Sequence, residues 1–146
     1  MKIAIACDHG GICLKQAVVE VITELGHTYE DFGCFDGMSV DYPEYAIKAA
    51  TAVTSGDCDL GILMCGTGIG MSIAANKIKG IRCGHVTDAF SAEMTRAHNN
   101  ANMIALGGRI TTPATAKAIV KAWLTASFLG GRHERRVEML NALDEK

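Results

Sequence analysis

The run Cys65-Gly66-Thr67-Gly68-Ile69-Gly70 follows an apolar segment, Leu60–Met64, and leads into a helix-forming one, Ser72–Lys77. A short continuous apolar run suits a strand buried on both faces. Strand, glycine turn and helix together aim backbone N–H groups at an anion or a developing oxyanion. Glycine suits the turn because it tolerates positive φ and lets a ligand approach the backbone. Cys65 stands at the first corner, where a helix N-terminus favours thiolate, so it reads as a nucleophile or base. A small buried thiol with no chemistry is the competing reading.

Four further groups carry chemistry. Asp8-His9 follows the first strand, in a loop that would meet the glycine turn, although a helix cap with an incidental histidine is the simpler reading because Asp is a favoured cap. His98-Asn99 ends a helix; the histidine could interact with the helix dipole or transfer protons near neutral pH. Arg132 and Arg136 stand at i and i+4 after Gly130-Gly131, so they share one helical face. Two guanidiniums so placed suit a phosphate, although charged helix faces are commonly just solvated. Arg109, after Gly107-Gly108, is a third cation of this kind.

These groups need elements to position them. Strands are expected at Lys2–Cys7, Thr28–Phe32, from Leu60, at Ile81–Val86 and at Ala101–Leu106. Helices are expected at Ile12–Leu25, Glu44–Thr54 behind Pro43, Ser72–Lys77, from an Asp88 cap through His98, from Thr112-Pro113 to about Phe128, and at Arg132–Leu143. Regular alternation of strand and helix predicts a parallel sheet with helices on both faces through right-handed crossovers. Ligands bind such sheets beyond the carboxyl ends of the strands, at a switch point of strand order. An order of 2-1-3-4-5 would set the Asp8-His9 and Cys65-Gly66-Thr67 loops side by side.

Composition narrows the function classes. The chain has 146 residues, 49% of them hydrophobic and 21% charged, which fits one globular domain over residues 1–146. A net charge of −2 without a long basic run argues against nonspecific nucleic-acid binding. No apolar run approaches the roughly 20 residues that span a bilayer, and the start does not read as a signal peptide. A cytoplasmic protein is expected. Six cysteines without a C-x-x-C pair point to free thiols and not to a metal site or disulfide framework. The glycine turn lacks the Gly-Lys-Ser/Thr of a P-loop, and Met71 occupies the third-glycine position of a G-x-G-x-x-G frame. Asp88, about 20 residues on, keeps a nucleotide-binding module open as the alternative.

Taken in order, Cys7-Asp8-His9, Asp41-Tyr42-Pro43, Cys65-Gly66-Thr67-Gly68-Ile69-Gly70, Ala74-Ala75-Asn76-Lys77, His98-Asn99, Gly107-Gly108-Arg109 and Gly130-Gly131-Arg132-His133 resemble the type B ribose-5-phosphate isomerases, a family that also holds galactose-6-phosphate isomerase subunits. The set runs nearly end to end. The resemblance implies a Rossmann-like three-layer sandwich with a five-stranded parallel sheet and an extra C-terminal helix. It implies an aldose–ketose isomerase of ribose 5-phosphate and ribulose 5-phosphate, or of a hexose 6-phosphate, without metal or organic cofactor. It also implies homodimers or dimers of dimers with sites built from two subunits.

The resemblance further assigns roles. Cys65 becomes the proton-transfer base, since Met71 stands where other members carry a glutamate. Thr67 and the backbone at Gly66, Gly68 and Gly70 hold the enediolate oxygens. His98 assists ring opening, with Asp8 orienting substrate or sharing that step, Asn99 and Tyr42 hold hydroxyls, and His9, Arg109, Arg132 and Arg136 bind phosphate.

Overall fold

The computed structural model describes residues 1–145. Its elements are β1 (Lys2–Cys7), α1 (Lys15–Glu24, entered through a 3-10 turn at Ile12–Leu14), β2 (Thr28–Asp31), α2 (Tyr42–Thr54), β3 (Leu60–Cys65), α3 (Ile69–Asn76), β4 (Cys83–His85), α4 (Ala89–Asn99), β5 (Met103–Gly107), α5 (Pro113–Thr125) and α6 (Arg132–Ala142). Strand and helix alternate as expected. The helix after the glycine turn begins three residues early, at Ile69, so Gly70 belongs to its first turn.

All strands pair in parallel, in the order β2-β1-β3-β5-β4. The order 2-1-3-4-5 is therefore corrected at its end: β5 lies beside β3 and β4 takes the edge. Burial explains the exchange. Every residue of Met103–Gly107 is buried, whereas β4 has three residues, of which Gly84 is half-buried and His85 exposed. The more apolar strand takes the interior, where both faces are covered.

Two cores flank the sheet. On one face Ile3, Ile5, Ile62, Met64, Ile104 and Leu106 pack against α1, α4 and α5, with Trp123 fully buried among them. On the other face Ala4, Ala6, Leu63, Cys65 and Ala105 pack against α2 and α3. Ala46, Ala49 and Ala50 of α2 are fully buried there, and their short side chains let that helix lie close to the sheet. Each fully buried large apolar side chain contributes roughly 1.5–3 kcal/mol, so the two faces together fix the strand ends that carry the candidate site.

The sixth helix is different. Val137 is the one buried residue of α6, which rests mainly against α4. Among the described residues, no helix is long and apolar enough to cross a membrane.

Candidate active site

The loops after β1, β3 and β5 meet at the carboxyl edge of the sheet. The Asp8 N–H donates to the Met64 carbonyl at 3.0 Å, tying the first loop to the end of β3. Gly108 N–H donates to the Cys65 carbonyl at 2.8 Å and Arg109 N–H to that of Gly66 at 2.9 Å, tying in the third. The approach is close. A Cβ on Gly11 would lie 2.2 Å from the Met64 carbonyl carbon, so only glycine lets the β1 loop cross there.

Within this junction Cys65 is buried, and the backbone N–H of Gly68 donates to its Sγ at 3.1 Å. Gly68 adopts φ +82°, a conformation that L side chains rarely take, and this turn points its N–H back at the sulfur. The N-terminus of α3 opens one residue later. Cys65 thus sits against one N–H donor at the opening of a helix. At Cys7 and Cys83 burial pushes each thiol up to about 12 and keeps it protonated. All six cysteines are free.

The neighbours of Cys65 keep functional groups available. Thr67 is exposed, and its Oγ1 accepts the Ile69 N–H at 3.3 Å, which leaves the hydroxyl proton to donate outward. Asp8 is buried; its Oδ1 accepts N–H bonds from Gly10 at 2.8 Å and Gly11 at 3.1 Å, so Oδ2 remains for a ligand. Asp8 is therefore an organiser of its loop as well as a candidate acid or base. His9 Nδ1 accepts the Val40 N–H at 3.3 Å, which puts a ring proton on Nε2, ready to donate to an anion. The Arg109 guanidinium packs over Gly66, where a Cβ would come within 3.1 Å of Nη1. Tyr42 lies over Gly70, where a Cβ would be 2.6 Å from the ring and 2.9 Å from the hydroxyl.

The remaining expected residues lie elsewhere. Parallel register pairs Gly61 with Met103 and Cys65 with Gly107. Asn99 ends α4 just before β5 starts, so His98 and Asn99 belong to the amino edge of the sheet, roughly 13 Å from Cys65 by strand rise alone. There the His98 and His133 rings stack, centroids 4.1 Å apart and 9° from parallel. His133 titrates below the ordinary histidine range, first because of its partial desolvation and then because His98, Arg132 and Arg136 disfavour another cation. Arg132 and Arg136 thus lie within electrostatic reach of His133. Asp8, His9, Tyr42, Cys65, Gly66, Thr67, Gly68, Gly70 and Arg109 come together in one cluster, a candidate half-site, and His98, Asn99, Arg132 and Arg136 in a second. One chain does not join them.

Two contributors were not evident from residue type and spacing. The His85 ring lies 2.7 Å from the Thr67 carbonyl through Nε2 and so buttresses the glycine turn from the edge strand. His133 supports His98; the Arg-His-Glu-Arg-Arg run was the signal that could have found it. Asp88, the acid that kept a nucleotide-binding reading open, caps α4 by accepting the Ser91 N–H at 2.7 Å and follows the edge strand, away from β3.

Comparison with known proteins converges on one group. The model of a family described as Ribose/Galactose Isomerase matches residues 3–140. A Bacillus subtilis protein named as a candidate sugar phosphate isomerase is 52% identical, over 100% of this chain and 99% of its own. Ribose-5-phosphate isomerase B of Escherichia coli is 46% identical, over 99% of this chain and 97% of its own. The solved structure of Clostridium thermocellum ribose-5-phosphate isomerase B superposes with a TM-score of 0.96 at 47% identity, covering 99% of this chain and 98% of that one. With the sheet, the glycine turn and this agreement along nearly its whole length, the chain belongs to the ribose/galactose isomerase family.

Proposed function

We propose that the protein is an aldose–ketose isomerase that interconverts ribose 5-phosphate and ribulose 5-phosphate through a cis-enediolate. The observation that carries this reading is Cys65 at the end of β3, holding the Gly68 N–H on its sulfur with Asp8 and Arg109 in the adjoining loops. The Cys65 thiolate takes the proton from C2 of the open aldose, leaving the electron pair in the enediolate. The resulting thiol returns that proton to C1, so the sulfur ends as it began. A proton moves from O2 to O1 in the same turnover, and the Thr67 hydroxyl and the backbone N–H groups of the glycine turn stabilise both oxygens. One such donor is worth about 3 kcal/mol in the transition state.

Ring opening and phosphate binding need the second half-site, and a second copy of the chain supplies it. Each catalytic cleft combines Cys65, Thr67, Asp8, His9, Tyr42 and Arg109 of one copy with His98, Asn99, Arg132 and Arg136 of the other. Two unpartnered surfaces support this pairing. Tyr42, Pro43, Ile47, Gly70, Ile73 and Ile78 line an apolar groove of about 320 Å³ that starts at the glycine turn. On α6, Arg132, Arg136 and the exposed Met139 recur on one face, followed by the exposed Leu143. In this arrangement the chain acts as a single domain in a cytoplasmic homodimer or dimer of dimers.

The test is turnover of a panel of pentose 5-phosphates and hexose 6-phosphates, with Cys65→Ala alongside. Ribose 5-phosphate should be the best aldose. Positioned acid–base groups supply about 10²–10⁴-fold, so Cys65→Ala should lose at least 100-fold in kcat while still binding substrate. Activity within tenfold of wild type would remove Cys65 from the mechanism.

A further inference from the structure

The phosphate-binding face of α6 is held by little apolar burial, which raises the question of what sets its place. Arg82, in the segment entering β4, is half-buried, and each arm of its guanidinium has an acceptor. Nε donates to the Asn99 carbonyl at 3.1 Å and Nη2 to that of Asn100 at 2.9 Å. Nη1 donates to Asn141 Oδ1 of α6 at 2.9 Å. The first two acceptors are carbonyls at the C-terminus of α4, where Asn100 turns the chain with φ +46°. A helix C-terminus leaves such carbonyls without intrahelical partners, and a cation there also complements the dipole.

None of the salt bridges among the described residues uses Arg82, and burial depresses its pKa without taking its charge. Its backbone is fixed as well: Arg82 N–H donates to Asn102 Oδ1 at 2.8 Å. A planar fork with donors on three nitrogens can span one helix end and a second helix; an ammonium cannot.

We infer that Arg82 is a positioning residue for the phosphate subsite. It clamps the C-terminus of α4 to α6 and so fixes Arg132 and Arg136 relative to His98 and Asn99. Two other ties join α6 to α4, namely the His98–His133 stack and the Leu129 N–H bond to the Ala97 carbonyl at 3.0 Å. Both act on the first turn of α6 or the linker before it. The Arg82–Asn141 bond is the side-chain tie on the last turn itself, and the Gly80 N–H bond to Asp144 Oδ2 at 2.8 Å and the exposed Lys79–Glu145 pair hold the turn that follows. This inference rests on the proposed function only in taking Arg132 and Arg136 as the phosphate ligands.

Asn141→Ala removes the α6 end of the clamp at an exposed position, and Arg82→Lys keeps the charge but not the fork. Inorganic phosphate is the probe, titrated by calorimetry and as a competitive inhibitor. Asn141→Ala should weaken phosphate binding about threefold and Arg82→Lys at least fivefold, with KM for ribose 5-phosphate rising in the same ratio. Hydrogen exchange should speed up in α6 and not in the sheet, and Asn141→Ala should leave the melting temperature unchanged. The double variant should be no worse than Arg82→Lys, because both break one clamp. Unchanged phosphate affinity in Asn141→Ala overturns the inference, whatever happens to the folding of Arg82→Lys. A wild type that binds phosphate and isomerises none of the panel would instead overturn the proposed function, and the phosphate titrations would still decide on the clamp.

Discussion

Gly70→Ala separates stability from function at one atom. Gly70 is the second residue of α3, and alanine there gains up to about 1 kcal/mol in helix propensity. The new methyl would meet Tyr42 at 2.6 Å from Cζ and 2.9 Å from the hydroxyl, closer than real contacts allow. Tyr42 is 39% exposed at the start of α2, so its ring can swing away at small cost. The two effects oppose each other in stability and do not in function. A displaced ring loses its hydrogen bond to the sugar, a net 0.5–1.5 kcal/mol, or about 2- to 13-fold in kcat/KM. Tyr42→Phe, which removes only the hydroxyl, should show a loss of the same size. The double variant should add little, because both changes remove one contact. Steady-state kinetics with ribose 5-phosphate and a thermal melt are the assays. A melting temperature within about 4 °C of wild type, the shift expected of roughly 1 kcal/mol, is predicted. Wild-type kinetics in Gly70→Ala, or a large fall in melting temperature with normal kinetics, would refute the placement of Tyr42 as a substrate contact.

Two further predictions concern the second half-site. Arg132→Lys and Arg136→Lys should each raise KM for the phosphorylated sugar more than tenfold with little change in thermal stability, since lysine keeps charge but loses the bidentate fork; Arg135→Ala should be tolerated, and equal damage from Arg135→Ala and Arg136→Ala would mean that the wrong helix face has been chosen. A proton NMR titration should find the His133 midpoint below the ordinary 6.5, because its folded-state pKa is depressed. The stabilisation this reflects is present above pH 6.5 and lost as pH falls through the folded value, so α6 should loosen in acid. Added phosphate should raise the midpoint, and a midpoint at or above 6.5 without phosphate would contradict the geometry.

Much of the carboxyl-edge half-site was legible in the sequence because its chemistry is local. The turn at Cys65-Gly66-Thr67-Gly68 and the loop at Asp8-His9 each lie within a few consecutive residues, and each follows an apolar strand. The exchange of β4 and β5 was not legible, since periodicity says which residues form strands and not which strand lies between which. Only the contrast between a fully buried Met103–Gly107 and a partly exposed Cys83–His85 decides it. The stack of His98 on His133 and the reach of Arg82 to Asn141 join residues 35 and 59 positions apart, through helices whose packing no local pattern encodes. His85 was passed over for the same reason: its partner is a backbone carbonyl, at Thr67, and backbone acceptors leave no mark on residue type.

Mixing two inactive variants tests the central claim most directly. Cys65→Ala lacks the base of the first half-site, and His98→Asn lacks the ring-opening group of the second. If each cleft joins the two halves across copies, a mixed dimer carries one cleft with both defects and one that is wild type. Unfolding and refolding equal amounts together makes about half the dimers mixed, so about a quarter of wild-type isomerase activity on ribose 5-phosphate should return. Neither variant refolded alone should recover activity. A mixture no more active than its parents, at protein concentrations where wild type refolds fully, would contradict a cleft shared between two copies of this chain.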